Sequence, residues 1–171
     1  MKISLDDIDA FVFDFDGVLT NNLVYLNQEG VESVACSRAD GLAFDVLRKL
    51  NKPAFILSTE KNSVVTMRAK KINIPVIQGA ADKVSAIKEL ARENEFNLKK
   101  ILYVGNDLND YLVMKVCGYT VCPIDSHIII KEISKYILTT KGGNGVVREL
   151  LEKVLNLDFI EILYSNQGVK K

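Results

Sequence analysis

Short apolar runs that stop abruptly at polar residues recur along this chain, and that rhythm constrains its fold more than any other feature. The first, residues 10–15 (AFVFDF), is followed by 53–57 (PAFIL), 74–77 (IPVI), 101–104 (ILYV), 119–122 (YTVC) and 136–138 (YIL). Runs this short with continuous apolar character read as strands buried on both faces, as in a parallel sheet. Helical patterns fill the intervals, at 41–50, 63–72, 82–94, 109–116, 128–133 and 145–155. Alternation of this kind predicts an α/β fold, Rossmann-like, with a doubly wound parallel sheet. At 171 residues the chain has the size of one ordinary domain, and no linker or repeat divides it.

One segment breaks the rhythm. Residues 22–36 hold two alternating runs, LVYLN and VESVAC, around the turn-forming Gln28-Glu29-Gly30. They predict a β-hairpin protruding from the sheet just after the first strand. The tail, about 157–171, opens with LDFIEILY, which is apolar enough to dock on its own domain or on a neighbouring copy.

Charge and cysteine content exclude several classes. Lys plus Arg and Asp plus Glu balance at 22 each, so a nucleic-acid footprint, normally a basic excess on one face, is not expected. No apolar run reaches bilayer length, so no membrane partner is expected either. Cys36, Cys117 and Cys122 form no CxxC pair, and no secretory signal pattern opens the sequence as given. The expectation is reduced thiols in a cytoplasmic protein.

The chemistry concentrates at strand ends. Asp14-Phe15-Asp16-Gly17-Val18-Leu19-Thr20 lies just beyond the carboxyl end of the first run, where open α/β sheets bind ligands. Carboxylates at i and i+2 leave a strand on the same side. Such a pair can divide its labour, one attacking phosphorus and the other exchanging a proton with the leaving oxygen. Ser58 follows the second run, a position also common in ordinary turns. Lys83 opens a helix, where the macrodipole disfavours a cation; a bound phosphate accounts for it, and so does plain solvation. Gly105-Asn106-Asp107-Leu108-Asn109-Asp110 follows ILYV and offers several hard oxygens of the kind magnesium prefers, though part of it also suits a helix cap.

With these four elements in order, DFDGVLT, Ser58, Lys83 and GNDLND, the chain resembles the haloacid dehalogenase superfamily of phosphatases. The resemblance implies Asp14 as nucleophile and Asp16 as general acid and base, with Ser58 and Lys83 holding the phosphoryl group. It also implies magnesium held by Asp14, the Asp16 backbone carbonyl and the residue after the glycine of the last motif. That family usually has aspartate there; this chain has Asn106, a ligand without charge, which leaves open whether Asp107 or Asp110 compensates. The hairpin in place of a cap domain and the late Gly142–Glu149 (GGNGVVRE) resemble one capless branch of the family. That branch includes octulosonate 8-phosphate phosphatases, nine-carbon ulosonate (sialic-acid-type) 9-phosphate phosphatases and the phosphatase-like domain of some acylneuraminate cytidylyltransferases. Its members are typically homotetramers whose neighbours close the active site.

After Ser58 the octulosonate enzymes usually read Gly-Arg, whereas this chain reads Thr59-Glu60. Glu60 is therefore expected to bind a nine-carbon substrate, and Arg68 to pair with its carboxylate in the bidentate geometry arginine favours. Two solvated helix residues would give the same letters. His127 is expected to start or cap a helix. The expected function is magnesium-dependent hydrolysis of a keto-sugar acid phosphate, a nine-carbon ulosonate 9-phosphate before octulosonate 8-phosphate. The rival is a catalytically weak assembly domain associated with a cytidylyltransferase, which the uncharged Asn106 favours and the intact Asp14, Asp16, Ser58 and Lys83 oppose.

Overall fold

The computed structural model describes residues 3–165. Six parallel strands form one sheet in the order β5-β4-β1-β6-β7-β8, where β1 is Ala10–Phe13, β4 Ala54–Leu57, β5 Val76–Ile77, β6 Ile101–Val104, β7 Tyr119–Cys122 and β8 Tyr136–Ile137. β1 is central: Phe11 pairs with Ala54 on one side and Leu102 on the other. All four β1 residues are fully buried, as their unbroken apolar letters require.

Period-two alternation splits β1 between two cores. Phe11 and Phe13 face helices α1 (Arg38–Lys49) and α2 (Val64–Ile72), and Phe13 meets Phe44 edge-on at 5.2 Å between ring centroids. Ala10 and Val12 face α3 (Lys83–Glu93), α4 (Tyr111–Val116) and α5 (Ile128–Ile133) through Ile87, Val113 and Ile130. Helices therefore cover both sides, the doubly wound arrangement that the alternation predicts.

The expected boundaries shift for local reasons. The 74–77 strand contracts to Val76–Ile77 because Asn73 adopts φ 55° and the Ile74 N–H closes α2 on the Ala69 carbonyl. The 145–155 helix is α6 (Val146–Glu149) continued by a π segment, Leu150–Val154, where the Leu155 N–H reaches back to the Leu150 carbonyl. The hairpin is short, β2 (Tyr25–Leu26) against β3 (Glu32–Ser33), and a bridge between Thr20 and Cys36 closes its base. Asn27 Oδ1 takes the Glu29 and Val31 N–H groups, and Gly30 turns at φ 76°. Leu23, Val24, Tyr25, Leu26 and Val31 are all exposed on it.

The apolar tail docks on its own domain. In α7 (Phe159–Tyr164), Phe159 and Leu163 are buried, the Arg148 guanidinium lies 4.5 Å over the Phe159 ring, and Lys49 bonds the last-turn Leu163 carbonyl. The tail's final residues, 166–171, lie outside the described residues. Among the described residues, no helix is long and apolar enough to cross a membrane.

Candidate active site

The carboxyl ends of β1, β4 and β6 converge with the first residue of α3, and the aspartate pair stands where they meet. Beyond Phe13 the chain leaves the sheet, so Asp14 and Asp16 project into a cleft of about 320 Å³ that Asn22, Thr59, Asn106 and Asp107 also line. Gly17, at φ 72°, makes the turn; a Cβ there would stand 1.9 Å from the Asn106 amide nitrogen. Only glycine lets the two loops close on each other.

Asp14 is buried, and Lys83 Nζ reaches its Oδ1 at 2.9 Å, while the Phe15 N–H donates to the same oxygen at 2.7 Å. Lys83 is buried too and bonds Asp110 Oδ1 at 2.7 Å. Asp110 is the hub beneath the site. Its Oδ1 also accepts the Tyr103 hydroxyl at 2.8 Å, and its Oδ2 accepts the Asn106 N–H at 2.9 Å. The sequence offers Asp110 as a compensating metal ligand; in the structure its oxygens serve Lys83, Tyr103 and the Asn106 N–H instead, and Tyr103 is a site residue that the sequence reading missed. A tyrosine inside an otherwise aliphatic strand is the signal, since a buried phenol needs a partner.

Electrostatics follow from this burial. Desolvation, and then the charge of Asp110, push the Asp14 carboxyl well above the usual range, and Lys83 pulls it back. Lys83 is itself raised: desolvation opposes its charge, but Asp14 and Asp110 outweigh it. Asp16, half-buried, is raised by desolvation and by the nearby Glu60 charge, with Thr20 Oγ1 at 3.5 Å opposing. A raised carboxyl holds its proton closer to neutrality, which suits proton donation.

Other expected residues fall at varying distance from this cluster. Ser58 is buried at the end of β4, its hydroxyl accepting the Glu60 N–H at 3.1 Å; its neighbour Thr59 is the one lining the cleft. Glu60 Oε1 accepts the Lys61 and Asn62 N–H groups and so braces its own loop. Arg68 stands apart. It donates to the Ser37 carbonyl at 2.7 Å and lines a second, larger cleft of about 860 Å³ with Arg38, Arg48 and Lys71. That cleft lacks the aspartate pair, so size does not identify the reactive one. His127 caps α5, accepting the Ile129 N–H.

The donor set fits a hard cation. Asn106 is buried, and its Oδ1 has no hydrogen-bond partner, an orphaned oxygen that a cation would satisfy. Asp107 instead is exposed and caps the turn after β6, accepting the Leu108 N–H, so Asn106 is the better-placed ligand. Among the described residues, no three His, Cys, Asp or Glu side chains gather as a metal cage. Two aspartates and an amide leave room for waters and substrate oxygens, the arrangement magnesium favours over an all-protein cage.

A family model of haloacid dehalogenase-like hydrolases matches residues 47–150. The chain is a member of that family. Its relatives sharpen the comparison. The 3-deoxy-D-manno-octulosonate 8-phosphate phosphatase of Yersinia pestis is 29% identical over 150 residues, covering 87% of this chain and 80% of its own. Among solved structures, the corresponding Moraxella catarrhalis phosphatase, in complex with magnesium, phosphate and the octulosonate, shares 30% identity. It superposes with a TM-score of 0.86 over 94% of this chain and 93% of that one. A candidate haloacid dehalogenase family hydrolase from Streptomyces avermitilis reaches 36% identity and a TM-score of 0.89, covering 93% and 91%. This hydrolase therefore shares its fold with those proteins over nearly its full described length.

Proposed function

We propose that this hydrolase is a magnesium-dependent phosphatase acting on a phosphomonoester of a keto-sugar acid. One observation carries the reading: the buried Asp14–Lys83–Asp110 chain, beside a cleft lined by Asp16 and by Asn106, whose buried side-chain oxygen has no partner. The likeness to octulosonate 8-phosphate phosphatases supports the substrate class.

In this reading the Asp14 oxygen not engaged by Lys83 and Phe15 attacks phosphorus, forming an aspartyl-phosphate. As the ester P–O bond breaks, Asp16 donates its proton to the leaving oxygen. Asp16 then takes a proton from the water that hydrolyses the aspartyl-phosphate, and Asp14 is regenerated. Lys83, backed by Asp110, offsets charge between the phosphoryl group and Asp14, with Ser58 as the second phosphate contact. Asp14, the Asp16 backbone carbonyl and Asn106 would hold the magnesium, which would supply charge neutralisation for the phosphate oxygens.

Within the substrate class we place nine-carbon ulosonate 9-phosphates ahead of octulosonate 8-phosphate, because Glu60 offers a carboxylate near Asp16 where a polyol or amide can donate. Arg68 opens on the other cleft, so its pairing with a substrate carboxylate requires a neighbouring copy. A homotetramer joined through the exposed hairpin provides one.

The test is phosphate release from octulosonate 8-phosphate, nine-carbon ulosonate 9-phosphates and hexose phosphates, with and without magnesium. Magnesium-dependent turnover of the ulosonates, abolished in Asp14→Asn, is expected. Substantial activity in that variant removes Asp14 as nucleophile, and silence across the panel overturns the phosphatase reading.

A further inference from the structure

Residues 142–149 (GGNGVVRE) are distinctive in the sequence and take no part in the chemistry above. Their first two glycines lie against the turn that follows Asp14. A Cβ on Gly142 would stand 2.2 Å from the Gly17 carbonyl oxygen, and one on Gly143 would stand 2.5 Å from the Asn21 nitrogen. The contact is backbone on backbone, closer than any other residue permits. Gly143 adopts φ 72°, and its N–H donates to the Val18 carbonyl at 3.0 Å. The loop is itself pinned on both sides. Gly142 N–H donates to Asp125 Oδ1 at 3.0 Å, and Asp40 Oδ1 accepts the Val147 and Arg148 N–H groups at 2.9 and 3.2 Å.

What the supported turn carries is Asp16. Thr20 Oγ1, 3.5 Å from Asp16 Oδ1, accepts the Gly17 and Asn22 N–H groups at 3.2 Å each, and Thr20 is fully buried. The contacts that place Asp16 thus lie inside the turn whose outer backbone rests on Gly142 and Gly143. We propose that this glycine pair is a positioning element for Asp16, setting its distance from the leaving oxygen; the inference rests on the acid role given to Asp16 above. Proton donation to a departing alkoxide depends steeply on that distance, whereas a leaving group that is stable as an anion needs no proton.

Gly143→Ala tests this through two readouts. Without substrate, amide exchange at Gly17 and Asn22 should quicken while β1 amides stay unchanged. With substrate, kcat/KM, which reports phosphoryl transfer to Asp14 and not the later hydrolysis that Asp16 also assists, should fall about 10- to 100-fold for octulosonate 8-phosphate and less than about threefold for p-nitrophenyl phosphate. Equal losses on both substrates signal general damage and overturn the proposal, as does unchanged exchange at Gly17 and Asn22. Should Gly143→Ala fail to fold, Asp125→Ala, at an exposed position, is expected to give the same selective loss, smaller in size; an unselective loss there counts against it. Wild-type inactivity on both esters would instead sink the phosphatase reading, and the exchange measurement would still decide whether the glycines hold the turn.

Discussion

Replacing Asp40 with asparagine isolates the cost of one buried charge. Asp40 is 2% exposed, its Oδ1 caps α6, and its Oδ2 is buried with no partner. Desolvation lifts its carboxyl from 3.8 to about 6, against the opposing pull of two backbone N–H groups and the Arg68 charge. Between those values the folded chain keeps a proton that the unfolded chain has released, so stability falls as pH rises through the window. A shift of roughly two units corresponds to about 3 kcal/mol between the plateaus reached about a pH unit below 3.8 and about a unit above 6. Asparagine keeps an acceptor for the cap and cannot titrate. The stability of Asp40→Asn minus that of the wild type should therefore grow by up to about 3 kcal/mol from pH 4 to pH 7, on the order of 6–12 °C in Tm. Urea unfolding of both proteins across that range reads the difference directly, because Asp14 and Asp16, also raised, cancel between them. Parallel pH profiles would refute the reasoning and mean that Oδ2 is solvated in the folded chain.

Three further outcomes are expected. Asn106→Asp should lower the magnesium concentration for half-maximal activity by about tenfold, since a charged oxygen replaces a neutral one; a higher requirement would take this position out of the metal shell. Tyr103→Phe should cost about 1–3 kcal/mol of stability in urea unfolding, because it removes a buried donor to Asp110, and an unchanged midpoint would show that bond to be dispensable. Leu26→Glu, on the exposed hairpin, should reduce the assembly mass measured by light scattering; an unaltered mass would exclude the hairpin as the contact.

The sheet was legible because strands buried on both faces leave unbroken apolar letters, and because Asp14 and Ser58 follow their strands directly and Asn106 follows after a single glycine. Local pattern carried less where tertiary contacts choose the geometry. The π segment after α6 looks like plain helix in the letters, since Leu150 and Leu151 are buried either way. Lys83 was visible as an oddly placed cation, but its pairing with Asp110 was not, because the two are 27 residues apart and meet only through the packing of α3 against α4. Arg68 shows what single letters leave out about placement. Its charge suggested a ligand contact, while helix geometry turns it toward Ser37 and a different cleft. The docking of the tail on its own domain could not be chosen over docking on a neighbour from apolar letters alone.

The central place of β1 also governs when activity first exists during folding. Its register joins it to chain roughly 40 residues onward at β4 and 90 residues onward at β6, so two long loops must close before Asp14 meets Lys83 and Asp110. Closure of that length is slow and is compensated only once the parallel pairing is complete. Helices can therefore regain their circular dichroism early after dilution from denaturant while turnover is still absent. Under the proposed mechanism, recovered turnover is then a clock for the pairing of the middle of the sheet, since a chain without β6 in place lacks the Asp14–Lys83–Asp110 contact.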